Sequence, residues 1–262
     1  MRKFKKGYNN LVSWDLKLGF DFGIRVMEKG DKHNEKTGFE TCAVLLIGAL
    51  EIKNGDKRIR VKRKNVFEDD PVTLLLPADS KYEIRALSNV EIAEIRTRNN
   101  KRYEPRIFLK KDVRKEHRGK GMLDDTCYRI VKTVFDYSNM SESNLVVGEV
   151  INFPGKWSSY PPHHHEQPEL YFYKFLPEQG FGLSQTDEKG KPRIIRNNDW
   201  IKIFGKDHSQ VAAPGYVMWY LWVVRHLPRK PYKGFEFAKE HEWVLSKEGE
   251  KKYREIIKKL KC

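Results

Sequence analysis

Cysteine is nearly absent. The 262 residues hold three, Cys42, Cys127 and Cys262, far apart, odd in number and without a C-x-x-C pair. That argues against a disulfide framework and fits a reducing compartment. Long apolar runs are missing as well: the strongest, residues 43–50, has the length of a buried strand. The N-terminal Met1-Arg2-Lys3-Phe4-Lys5-Lys6 is basic, but no apolar segment of signal-peptide length follows it, so the expected location is cytoplasmic. Helix signals are scarce before residue 236. An RNA-recognition motif or base-stacking platform is lacking too.

Positive charge is plentiful. Lys and Arg number 51 against 36 Asp and Glu, a formal charge of +15. The basic residues are spread along the chain, with dense patches only at 2–6, 57–64 and 251–261, and acidic residues interleave with them. That pattern reads as a solvated surface, of the kind found in heat-adapted proteins, with neither nucleic acid nor a membrane expected as partner.

Aromatics at 12% suit a dense, strand-rich interior. Residues 41–52 form an apolar run ending at Asn54-Gly55, a hairpin signal, and 58–62 alternate as a returning strand would. Segments 72–76, 82–86 and 90–96 continue a first antiparallel half. Segments 128–135, 145–152, 170–175, 200–204 and 218–224 supply a second. The predicted organisation is an N-terminal half over 1–110, a surface linker over 111–127, a second half over 128–235 and a helical tail over 236–262. In the tail, Tyr253, Ile256, Ile257 and Leu260 fall at helical spacing. The halves echo each other faintly: Tyr82 follows a strand and turn much as His208 does, yet the first 127 residues contain only His33 and His117. A duplication in which one copy lost its site would look this way.

The most informative stretch is Pro161-Pro162-His163-His164-His165-Glu166-Gln167-Pro168-Glu169. Side chains alternate along a strand, so His163 and His165 point one way and His164 the other. A turn through Gln167-Pro168 lets Glu169 return to the same point as a carboxylate, and Gly205-Lys206-Asp207-His208 supplies a further imidazole. Three adjacent histidines can also be a plain surface cluster. The strand, turn and second histidine that accompany them favour one bound divalent cation held by His163, His165, Glu169 and His208. Such a donor set suits zinc first, with manganese, iron, cobalt or nickel also accommodated, and open coordination positions make the site catalytic in type.

Residues 145–150, the string Trp157-Ser158-Ser159-Tyr160-Pro161-Pro162-His163-His164-His165 and the string Ala212-Ala213-Pro214-Gly215-Tyr216 together resemble the 5-deoxy-glucuronate isomerases of inositol catabolism. The related 4-deoxy-uronate ketol isomerases match less well around the histidines. The resemblance implies an all-β, duplicated cupin fold (a bicupin) of two antiparallel barrel halves, the same four ligands, and an aldose–ketose isomerisation of a uronate sugar. Two departures stand out: a short interval between His165 and Glu169, and Trp222 where the family usually has asparagine.

Such a reaction moves a proton between adjacent carbons through an enediolate, whose charge a divalent cation stabilises. Tyr173, Gln179 and Tyr220 are the candidates for moving that proton. Tyr171 shares the face of Glu169 and is a candidate substrate contact. The uronate carboxylate calls for arginine, and Arg129 and Arg225 lie on strands of the second half. Competing readings are a cupin dioxygenase acting on a small organic acid and a non-enzymatic sugar-binding cupin. A homo-oligomer is compatible with all of these.

Overall fold

The computed structural model describes residues 2–36, 38–54 and 57–260. Strands dominate, and every strand pairing is antiparallel. In the first half the main sheet runs Gly7–Asp15, Phe20–Met27, Val90–Thr97, Glu40–Asn54, Val72–Leu76, Arg106–Phe108. The 15-residue strand Glu40–Asn54 serves two sheets. Its first part pairs with Val72–Leu76 and Val90–Thr97, and its second with Lys57–Arg63 and Lys81–Ala86. Gly48 makes that crossing at φ +104, where a Cβ would collide with the Asn89 carbonyl. The expected hairpin closes through Asn54↔Lys57; Gly55, like Cys262, lies outside the described residues.

The second half repeats this plan. Its six-stranded sheet runs Arg114–Arg118, Arg129–Phe135, Leu145–Asn152, Val217–Arg225, Glu169–Leu176, Trp200–Ile203. A five-stranded sheet faces it: Arg193–Arg196, Phe181–Ser184, His208–Ala212, Trp157–His164, Glu236–Phe237. Register aligns the halves. Thr41 pairs with Leu76 and Arg96, as Glu169 pairs with Ile203 and Val224. The first half therefore carries a threonine at the position of Glu169.

Two boundaries differ from expectation. Within 111–127, the strand Arg114–Arg118 joins the second sheet by pairing with Arg129–Phe135, from Arg114↔Thr133 to Arg118↔Arg129. Within 236–262, Glu236–Phe237 pairs with the histidine strand before the helix Lys247–Lys259 begins, capped by Ser246. The helix leaves Ile256, Ile257 and Leu260 exposed.

One apolar cluster joins the halves, with Phe20, Phe22 and Ile95 packed among Leu145, Phe172 and Trp219. Inside the contact, Arg63 and Glu149 form a fully buried bidentate pair at 2.8 and 2.6 Å, and the Trp219 indole N–H donates to the same carboxylate at 3.0 Å. Among the described residues no helix is long and apolar enough to cross a membrane.

Candidate metal centre

The histidine strand Trp157–His164 and the strand His208–Ala212 meet at His163↔His208. Next to them, Glu169 opens the strand Glu169–Leu176 and turns its carboxylate into the barrel. His165, Glu169 and His208 are all buried, and one donor atom of each lies within 4.8 Å of the other two. His165 Nε2 is 3.1 Å from Glu169 Oε2, and His208 Nε2 is 3.4 Å from it. The short His165-to-Glu169 interval therefore closes as a tight turn and does not separate the two groups. Burial pushes the Glu169 carboxyl up, but the two imidazoles beside it, His165 and His208, outweigh burial and hold it at about 2.

His208 is oriented from behind. Its Nδ1 lies 2.9 Å from the Lys206 carbonyl, which can only accept, so Nδ1 carries the proton and Nε2 presents a lone pair to the site. The Tyr171 hydroxyl reaches that same nitrogen at 3.1 Å. His165 has no such support: its Nδ1 is buried with no hydrogen-bond partner among the described residues. Two imidazole nitrogens and an ionised carboxylate converging on one point fit a divalent cation of the zinc type.

His163, the fourth expected ligand, is buried beside the trio without belonging to the close group. Its ring is tilted against those of His208 and Phe235, with centroids 4.4 and 4.1 Å away, and burial, then His208, push its pKa well down. His164 faces outward, as alternation predicts, with Nδ1 2.7 Å from Asp207.

A cavity of about 370 Å³ opens beside this group, and Glu169 and His163 reach its wall. Tyr171, Tyr220 and Arg129 line it too. The Tyr220 hydroxyl is 2.6 Å from Ser158 Oγ and 3.3 Å from Ser159 Oγ. Burial raises the pKa of both Tyr171 and Tyr220. The other expected residues stand elsewhere. Tyr173 is fully buried off the cavity, its hydroxyl without a partner among the described residues. Gln179 is exposed in the turn after the strand that Glu169 begins, about 25 Å or more along the chain from it, so it cannot serve the site. Arg225 packs against Gly19 at the junction of the halves, outside the cavity.

Several cavity residues gave no sequence signal. Arg118 lies in the stretch expected to be linker. Tyr232 and Phe235 come from the loop before Glu236–Phe237; Tyr232 sits edge-on to His165 at 4.9 Å, and Phe235 covers His163. The dense aromatics of Pro231-Tyr232-Lys233-Gly234-Phe235-Glu236-Phe237 were the available clue. Trp222 lies over Gly148, where any Cβ would meet its indole.

Comparison with known proteins agrees with this architecture. The 5-deoxy-glucuronate isomerase of Geobacillus kaustophilus (strain HTA426) is 31% identical over 93% of this chain and 91% of its own length. The protein of the same name from Bacillus subtilis (strain 168) is 27% identical over 87% and 88%. An IolB-like protein from Salmonella typhimurium LT2 superposes with a TM-score of 0.82 at 24% identity, over 93% of this chain and 97% of that one. A cupin 2 conserved barrel domain protein from Leptotrichia buccalis superposes at 0.53 and 16% identity, over 86% and 92%. The fold is thus the all-β bicupin expected. With residues 13–244 matching the family model, the chain belongs to the KduI/IolB family.

Proposed function

We propose that this chain is a metal-dependent aldose–ketose isomerase that converts 5-deoxy-glucuronate to 5-dehydro-2-deoxy-gluconate, in the cytoplasm, as a step of inositol breakdown. The observation that carries the reading is the buried convergence of His165, Glu169 and His208 beside a cavity sized for a sugar acid. Those three would hold the cation, zinc first, with His163 the adjacent fourth donor. When bound, such a cation supplies Lewis-acid stabilisation to the negative charge that develops on the substrate oxygens.

Part of the remaining chemistry falls to the side chains that line the cavity. Tyr220, with its pKa raised by burial, keeps its proton at neutral pH and can give it to an oxygen that gains charge. Ser158 and Ser159 hold that hydroxyl in place. Tyr171 packs 4.8 Å from Tyr220 and, through its contact with His208, fixes the wall between the proton donor and the imidazoles. Tyr232 and Phe235 cover the imidazoles from the other side and keep bulk water away.

The test is incubation of the purified protein with 5-deoxy-glucuronate and proton NMR of the mixture. The expected result is conversion to the 2-deoxy-5-keto acid. Conversion of a 4-deoxy-uronate alone would reassign the substrate, and no turnover of either would overturn the enzymatic reading.

A further inference from the structure

The cavity wall pairs like charges. In the antiparallel ladder between Arg114–Arg118 and Arg129–Phe135, Arg118 stands directly opposite Arg129, and both side chains line the cavity. Like charges directly opposed on one sheet face destabilise it, and a buried guanidinium needs a counter-charge. Arg129 is buried, yet its one protein partner among the described residues is the Cys127 carbonyl, at 2.9 Å from Nη1. The carboxylates nearby are taken. Glu169 belongs to the two imidazoles, and Asp136 is held by Arg114 at 2.6 Å. Arg118 reaches Glu116 at 3.0 Å, a half-exposed contact of little strength, and lies over the Phe235 ring that covers His163. Burial first, and Arg118 among the neighbouring charges, push the Arg129 guanidinium below its ordinary value.

From this arrangement we infer that Arg118 and Arg129 form a two-arginine subsite that binds the carboxylate of a sugar acid, the anion that the opposed pair lacks. The subsite rests on the proposed reaction for its role in turnover but not for its binding chemistry. It makes Arg118 a substrate-binding residue delivered by the strand that precedes the barrel proper. Two planar forks can each give a carboxylate paired donors. The acid end would then be fixed at the Arg118 side while the opposite end of the sugar meets the imidazole group.

Thermal shift with D-glucuronate and D-glucose at equal millimolar concentration tests the binding claim on the whole purified protein, whether or not it isomerises anything. Wild type is expected to rise in Tm with glucuronate and not with glucose. Arg118→Gln and Arg129→Gln are expected to lose that rise, while Arg118→Lys keeps part of it. Without ligand, Arg118→Gln is expected to melt no lower than wild type, because it relieves the like-charge pair. In the isomerase assay its KM should rise about tenfold or more with kcat within about threefold. A glucuronate shift that survives Arg118→Gln, an equal shift with glucose, or no shift in wild type would each overturn the subsite. A lower ligand-free Tm in Arg118→Gln would do the same, by showing that Arg118 supports the fold. If wild type shifts with glucuronate but does not isomerise 5-deoxy-glucuronate, the subsite stands and the proposed reaction fails.

Discussion

At the scale of single residues, the site is decided by where protons can sit. His208 donates its Nδ1–H in a hydrogen bond to the Lys206 carbonyl, so its Nε2 lone pair faces an ionised carboxylate 3.4 Å away. Two electron-rich atoms at that range need positive charge between them, either a second proton on the ring or a cation. The proposal takes the cation. His208→Ala and His165→Ala are then each expected to remove bound metal and to cut isomerase activity by at least about a hundredfold, with circular dichroism unchanged. Turnover retained by metal-free His208→Ala would remove the mechanism. A second residue reports on pH. Burial pushes His226 down to about 4, and its Nδ1 accepts the Tyr232 backbone N–H at 2.8 Å, a bond that only the neutral ring can make. The folded value lies below the ordinary 6.5. The unfolded chain therefore takes up this proton first, and stability falls as pH drops from about 6.5 toward 4. His226→Gln keeps a hydrogen-bond acceptor without the titration. Its Tm deficit relative to wild type should shrink between pH 7 and pH 5; a constant deficit would refute the assignment.

At the scale of strands, alternation and register carry the site. Alternation alone separated buried His163 and His165 from outward His164, because side-chain period in a strand is two whatever the surroundings. The same logic put Tyr171 on the face of Glu169, and it lies there. What alternation cannot tell is how far along its strand a residue sits from the site. Tyr173 shares that face but is buried one step too deep, and Gln179 lies past the far end of the strand. Arg225 is a different case: it is an odd number of residues from Tyr220 on the same strand, so alternation itself turns it to the other face, toward Gly19 of the first half. Arg118, Tyr232 and Phe235 were illegible because they reach the cavity from segments without apolar periodicity, Arg118 from a short edge strand of mostly exposed residues and the other two from a loop. The pairing of Gly148 with Trp222 belongs to this scale as well. A Cβ at 148 would meet the indole and lie 2.7 Å from the Lys132 carbonyl, so two neighbouring strands would have to part. Gly148→Ala is expected to cost about 1–3 kcal/mol in chemical denaturation and to push Trp222 toward the cavity, visible as changed tryptophan fluorescence. A neutral effect on both would show that the strands yield there.

At the scale of the whole molecule, the two halves are joined by a shared interior. Besides one apolar cluster inside each half, a third cluster and the buried Arg63–Glu149 pair span both. Glu149→Gln strands a buried guanidinium without its counter-charge, and it is expected to cost about 3–5 kcal/mol while unfolding stays a single transition. Two separated transitions in wild type would contradict the shared core. In sequence the repeat showed only as a faint echo around one turn; the register adds that Thr41 holds in the first half the position of Glu169 in the second.

Metal content measured by inductively coupled plasma mass spectrometry, side by side on purified wild type and His208→Ala, tests the central claim most directly. About one divalent ion per chain in wild type and under about a tenth of that in the variant is the predicted result. Wild type without a stoichiometric ion, or a variant that holds as much as wild type, would contradict it.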